Sequence, residues 1–502
     1  MRLTGSTYGR GLALGALALA IAGCQNLRGP EPGSSVAVPT VYQNLPDGYE
    51  GANGPTIAAQ GWQEFFNDSR LHQLITLGLA NNRDLRTTVL NIERARQQYR
   101  ISDNALLPTV NASAGATRQE TTQVRDPYTT YSVGLGVTAY ELDFFGRVRN
   151  LRDAALDTFL ATRSARDATQ ISLIGQIAQA WTAISYDMAQ LRLAEQTLKA
   201  QEEAYRLNSR RFEVGIDSEV TVRQAQISVE TARNDVAAFK TQIAQDRNLL
   251  ELLVGQPIPA DLLPTTQIDR ITRNTVLGAG LPSDLLQNRP DITNAEYQLR
   301  AAGGNLGAAR ARLYPSISLT GSAGLASTDL SDLFKSGAFV WSIGPQLDLP
   351  IFDAGTRRAN VKIAEVDQQI ALNNYEQSIQ TAFREVKDVL ATRATINDRL
   401  SAQTRLVEAT NTNYRLSNAR FRAGIDNYLT VLDAQRSQYA AQQALLSLQQ
   451  ANLNSQINLY KVLGGGIQAF SAANAATAVT GTATPAGATT AAPASATTST
   501  AP

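Results

Sequence analysis

The sequence predicts an α+β chain made of two copies of one plan, in which very long helices alternate with four short β-strands. Three observations predict it: an internal repeat, two long proline-free stretches, and alternating apolar runs lying between helices.

The repeat is direct. Tyr205 to Gln226 (YRLNSRRFEVGIDSEVTVRQAQ) and Tyr414 to Gln435 (YRLSNARFRAGIDNYLTVLDAQ) are identical at 12 of 22 positions, at an offset of 209. Upstream, Asp84-Leu85 matches Asp291-Ile292 and Leu106-Leu107-Pro108 matches Leu313-Tyr314-Pro315, both at 207. Two extra residues near Asp353-Ala354 account for the step. Such a spacing far exceeds a solenoid period and marks a duplication. Each half runs in one order: helix, two short segments ending near a glycine, very long helix, glycine turn, helix. The first copy is expected over 62–255 and the second over 283–463, with 256–282 as a linker or equatorial segment.

Residues 146 to about 213, and 355 to about 422, contain no proline. As helices each would measure on the order of 100 Å. In the second, Ile379, Val386 and Leu400 share one heptad position, interrupted by Arg393. Ala382, Val389 and Ile396 share another. That period predicts a coiled-coil seam, and by itself is compatible with a plain rod.

Between the helices, Tyr131, Val133, Leu135 and Val137 alternate with Ser132, Gly134, Gly136 and Thr138. Ile317, Leu319, Gly321, Ala323 and Leu325 alternate with small or polar residues, as do Phe339, Trp341, Ile343, Leu347 and Leu349. Residues 110–116 give a weaker version. Period two predicts strands with one apolar face, in a soluble sheet or in a transmembrane barrel wall. Pro345 would break a central ladder, so a bulge or bend is expected there. In lipid, four strands would leave two unpaired edges, and known barrels close with at least about eight. A membrane-embedded version must therefore share strands between chains: two chains give a barrel too narrow for a duct, three give twelve strands.

Composition narrows the chemistry. Lys+Arg 45 balance Asp+Glu 44, which argues against a nucleic-acid partner. One cysteine and one histidine leave no cysteine-rich or multi-histidine metal site. No cofactor, metal or catalytic constellation is expected. His72 reads as a helix-surface residue near Leu71 and Leu74, and Gly303-Gly304-Asn305-Leu306-Gly307 follows a helix, so it fails as a dinucleotide loop.

Arg2 and Arg10 flank the start of an apolar stretch, Gly11 to Ala22, too short to span a bilayer and ending in Ile21-Ala22-Gly23-Cys24. Residues 1–23 read as a signal peptide whose last residues resemble a bacterial lipobox, making Cys24 the expected lipidation site. By lipoprotein-sorting analogy, Gln25 favours the outer membrane. Residues 24–61 form an expected lipidated, extended segment, and 464–502, rich in Ala and Thr, a disordered tail.

Glu141-Leu142-Asp143-Phe144-Phe145-Gly146-Arg147, the run GLPSDLLQNRPDI from Gly280 to Ile292, and FRAGIDNYLTVLDAQR from Phe421 to Arg436 resemble the outer-membrane efflux factors of the TolC superfamily, most closely the OprM/NodT-type lipoprotein branch. The resemblance covers roughly residues 62–463. It implies a homotrimer with a 12-stranded outer-membrane β-barrel and a periplasmic α-helical coiled-coil barrel. It further implies a periplasmic adaptor (membrane fusion) protein and an inner-membrane RND-type pump as partners. Two departures stand out. Gly303-Gly304 sits where helix formers are usual, at a cost of about 1 kcal/mol per glycine. The aromatic before Pro315 is retained with a change of type, as Tyr314.

Within that frame, the turns at Gly215 and Gly424 are hairpin tips. Val214-Gly215-Ile216-Asp217 and Ala423-Gly424-Ile425-Asp426 each combine an exposed apolar residue with a cap-like acid. With Phe212 and Phe421 they are the expected adaptor-docking residues. Beyond the second tip, Leu429, Asp433 and Arg436 lie on one helix face. By motif, this face is implied to line a periplasmic gate, with three leucines as an apolar plug and three carboxylates as a ring. An exposed Asp433–Arg436 ion pair is the plainer reading. The first copy has Val220, Gln224 and Ile227 there. The function so implied is a passive duct for small molecules; the rivals are the outer component of type I protein secretion and a periplasmic scaffold lipoprotein. Met188 is the only methionine of the expected mature chain, which argues weakly against methionine-relayed copper or silver export.

Overall fold

The computed structural model of the 502-residue chain describes residues 27–37, 60–120, 126–265, 270–272 and 284–466. The expected signal peptide, Cys24 with most of the lipidated segment, about half of the linker and nearly all of the tail lie outside them.

The two halves follow one plan, the first carrying one more short helix at its start. In the first these are α1 (Trp62–Phe65), α2 (Ser69–Asn81), α3 (Arg83–Asn104), β1 (Val110–Gln119), β2 (Tyr128–Glu141), α4 (Arg147–Glu213) and α5 (Glu219–Val254). In the second they are α6 (Asp284–Asn288), α7 (Pro290–Ala311), β3 (Ser316–Ser327), β4 (Phe339–Asp348), α8 (Thr356–Arg422) and α9 (Tyr428–Val462). Helices α4 and α8 are each 67 residues long, about 100 Å. No described helix is long and apolar enough to cross a membrane.

The four strands form one antiparallel sheet in sequence order. Its register aligns Ala112, Leu135, Ala323 and Trp341 in one row, and Asn111, Gly136, Ser322 and Ser342 in the adjacent row. Adjacent rows point to opposite faces. One face is therefore mainly apolar, with Arg118, Thr129 and Ser327 at its far end, and the other mainly small and polar, with Ser322 and Ser342 hydroxyls 2.8 Å apart.

The expected irregularity at Pro345 is absent: Pro345 pairs with Leu319 in an unbroken β3–β4 register. The phase of the ladder explains this. The Leu142 N–H donates to the Ile317 carbonyl, and the Ala326 N–H to the Ala338 carbonyl. Odd-numbered residues of β3 thus face β2 and even-numbered ones face β4. Opposite Leu319, the proline nitrogen lies on the free edge and removes no bond inside the sheet. The bulge falls instead in β2, between Val137 and Tyr140, where Ala139 has φ 51° and its N–H donates to the Thr320 hydroxyl.

The main core is a belt at mid-height. It gathers α1 and α2, the centres of α4 and α8, and the ends of α5 and α9 around Trp181, Phe65, Phe66 and Tyr460. The buried Trp181 donates its indole N–H to the Leu262 carbonyl at 3.0 Å. In α8 the buried stripe is wider than a two-position seam. Ile379, Ala382, Val386 and Ile396 are buried as expected, and so are Phe383 and Leu390, while Val389 and Leu400 are only half-buried. Helix α8 packs against both α7 and α9, and two partners require a broader apolar face than one.

Arg289 of the NRPD run is buried. Its guanidinium pairs with Asp291 at 2.6 Å and Glu385 at 2.8 Å and donates to the Val462 carbonyl, tying α7, α8 and α9. His72 is not a free surface residue. Its Nε2 lies 3.0 Å from the Phe66 carbonyl, and its ring meets Trp62 edge-on at 5.5 Å. The unexpected glycines acquire a reason: a Cβ on Gly304 would lie 2.9 Å from the Asn150 carbonyl oxygen and 3.0 Å from the Ala154 Cβ, so glycine lets α7 approach α4 closely. Tyr314 stacks on Phe145 at 4.9 Å where strands meet helices.

Candidate functional site

The two hairpin tips are built alike. After α4, the Gly215 N–H donates to the Phe212 carbonyl and the Ile216 N–H to the Arg211 carbonyl. After α8, Gly424 donates to Phe421 and Ile425 to Arg420. This is the Schellman closure, which needs a left-handed residue. Gly215 and Gly424 supply it at φ 75° and 73°.

The tip acids are not helix caps as expected. Ser218 and Asn427 cap α5 and α9. Asp217 pairs with Arg211 at 3.0 Å and Asp426 with Arg420 at 2.6 Å, so each turn is closed by an ion pair. Partial burial pushes the Asp217 carboxyl up, but the Arg211 hydrogen bond and further donors hold it below the ordinary value. The Arg420 hydrogen bond does the same for Asp426. These arginines were not singled out from the sequence. The signal was there: Arg211 and Arg420 recur at the repeat offset, six residues before their acids.

Exposure separates the tips. Phe212 is 44% exposed, whereas its counterpart Phe421 is 6% exposed and so departs from the expectation of a docking residue. Phe421 packs with Tyr428, Val431, Leu432 and Ala225 in a small second core, under the Arg211 guanidinium at 5.1 Å. Through Ala225 and Arg211 this cluster joins the second hairpin to the first. Ile216 and Ile425 are both exposed, at 65% and 63%, and Val214 is exposed as well.

On α9, Val431, Leu432, Ala434 and Gln435 are buried while Leu429, Asp433 and Arg436 are exposed together on the opposite face. Asp433 and Arg436 form no ion pair with each other among the described contacts, so the plainer reading of that face is not realised within one chain. The equivalent face of α5 exposes Val220 and Ile227 on either side of the half-buried Gln224. Further from the tip, the Tyr439 hydroxyl donates to Asp235 at 3.1 Å, linking α9 to α5. Tyr428 is pushed up to about 12, first by burial and then by Tyr414.

Toward the base of the first hairpin, Asp187 of α4 is pushed up to about 7 by burial and by its hydrogen bond and charge contact with Asp246 of α5. This carboxyl pair carries no signature in the sequence, since its members lie far apart in the chain. No group of metal-binding side chains occurs among the described residues.

The profile of one family, described as outer membrane efflux protein, matches residues 74–256 and 281–465. The toluene efflux pump outer membrane protein TtgC of Pseudomonas putida is 47% identical over 415 residues, covering 82% of this chain and 86% of that protein. The cation efflux system protein CusC of Escherichia coli is 38% identical over 460 residues, 90% of this chain and 98% of CusC. Among solved structures, the open state of the Neisseria gonorrhoeae MtrE outer membrane channel superposes with a TM-score of 0.78 at 38% identity, over 87% of this chain and 97% of MtrE.

Proposed function

This chain belongs to the outer membrane efflux protein family, and from that premise we propose how its parts share the work. It is an outer-membrane channel component of an efflux system, extending into the periplasm. The observation that carries the reading is a sheet with two open edges feeding 67-residue helices. Unpaired strand edges are untenable in lipid, so each polypeptide supplies one third of a wall. Three chains close twelve strands, apolar outside and small or polar inside, and the helices continue the tube into the periplasm.

Such a duct is passive, and the driving force belongs to an inner-membrane pump of the RND type reached through a periplasmic adaptor. The exposed apolar residues Val214, Ile216 and Ile425 with Phe212 are the adaptor's footing. The Leu429, Asp433 and Arg436 face lines the gate: around a threefold axis the leucines meet and like charges crowd, a closure that adaptor contact relieves by rotating the helices. Small organic molecules, of the kind named for the Pseudomonas relative, are the proposed cargo. Met188, alone in the expected mature chain, leaves no methionine relay of the sort soft-metal transfer uses. Cys24 carries the lipid.

The test is purification in mild detergent followed by planar-bilayer recording. A trimer with discrete conductance is expected; a monomer that is electrically silent would end the proposal.

A further inference from the structure

Residues 27–37 cross three helices without regular structure of their own, and their contacts are specific. The Arg28 Nη2 donates to Asp157 of α4 at 3.1 Å and to the Arg300 carbonyl of α7 at 2.8 Å. Seven residues on, Glu376 of α8 accepts from the Ser35 N–H at 2.6 Å and from its hydroxyl at 2.8 Å, and Val36 packs against the main core. The seat beneath Arg28 is cut for backbone. A Cβ on Gly307 would lie 2.9 Å from the Arg28 Cα and 2.8 Å from Asn150 Cγ. Asn150 itself is fully buried there with both side-chain polar atoms unpaired.

Height gives the seat its meaning. Gly307 lies four residues before the end of α7, and Asp157 ten residues after the start of α4. Arg28 therefore sits about 6 to 15 Å below the base of the strands. It lies four positions after Cys24, a tether that spans at most about 14 Å.

We propose that residues 27–37 are a fixed stay that locks the lipid-bearing N-terminus at one height, Arg28 over the Gly303–Gly307 saddle being its lock. The acyl chains then enter the membrane beside the barrel at a set depth instead of trailing on a loose tether. This rests on the lipidation of Cys24 proposed above.

The experiment uses the full-length trimer in mild detergent and then in liposomes. Hydrogen exchange at the Ser35 and Val36 amides reads the stay. Arg28→Gln and Gly307→Ala are each expected to speed it about tenfold, and Cys24→Ser to leave it unchanged. Wild-type exchange in both variants, or loss of protection in Cys24→Ser, overturns the proposal. A nitroxide at Asn26→Cys should report one depth in the parent chain and a broadened range with Arg28→Gln; equal distributions also overturn it. Intact mass decides acylation separately: an unmodified Cys24 removes the lipoprotein reading, while the exchange result still judges the lock.

Discussion

The two hairpin tips share a turn, an ion pair and a capped second helix, yet they face their surroundings differently. At the first, Phe212 is exposed and the following helix shows Val220 and Ile227; at the second, Phe421 is buried and the following helix shows Asp433 and Arg436. Duplication preserved what closes a turn and released what lies beyond it. The first tip has become an apolar surface, and the second a packed joint that carries charge.

The largest expected effect separates the two phenylalanines. Phe421→Ala should cost about 3 kcal/mol of stability, read by thermal unfolding. Phe212→Ala should change it by less than about 0.5 kcal/mol. Equal losses would erase the distinction. Next, Ile216→Asp and Ile425→Asp should each weaken adaptor binding about tenfold or more in a pull-down or biosensor assay, since a desolvated carboxylate opposes docking. If one alone weakens it, only that tip is the footing. Third, Asp433→Ala should raise single-channel conductance about twofold or more, as the closure loses the carboxylates that pair with Arg436 of neighbouring chains. Gln224→Ala on the first hairpin should not, and an unchanged Asp433→Ala channel would count against the gate.

The smallest effects are in pH dependence, and their signs differ. Asp217 and Asp426 are held below the ordinary carboxylate value. Their pairs stabilise the tips above about pH 4 and lose that contribution as pH falls through the lowered folded values. Asp187, pushed up to about 7, does the reverse: the unfolded chain releases this proton near pH 4 and the folded chain near 7, so stability declines across that window. Unfolding midpoints of Asp187→Asn should show a shallower decline from pH 5 to 8. Those of Arg211→Gln should show less loss on acidification.

Much of this was legible because it is periodic or repeated. The long helices, the four strands and both turn glycines follow from spacing in the chain. What escaped depends on contacts between distant segments. Whether Phe421 or Phe212 is exposed is decided by Ala225 and Arg211 on the other hairpin. Gly304 looks costly until Asn150 and Ala154 of α4 are set against it. Pro345 implies a bend only in an interior strand; here the ladder turns its nitrogen outward and the register stays unbroken.

That outward turn reaches beyond the single subunit. Each junction between neighbouring subunits must form along the rim where Pro345 withholds a donor, so every such seam is stitched with one loop missing. The seam is thereby one ladder bond short, and the β4 rim of an unassembled subunit offers stray strands a poorer template than an unbroken one would.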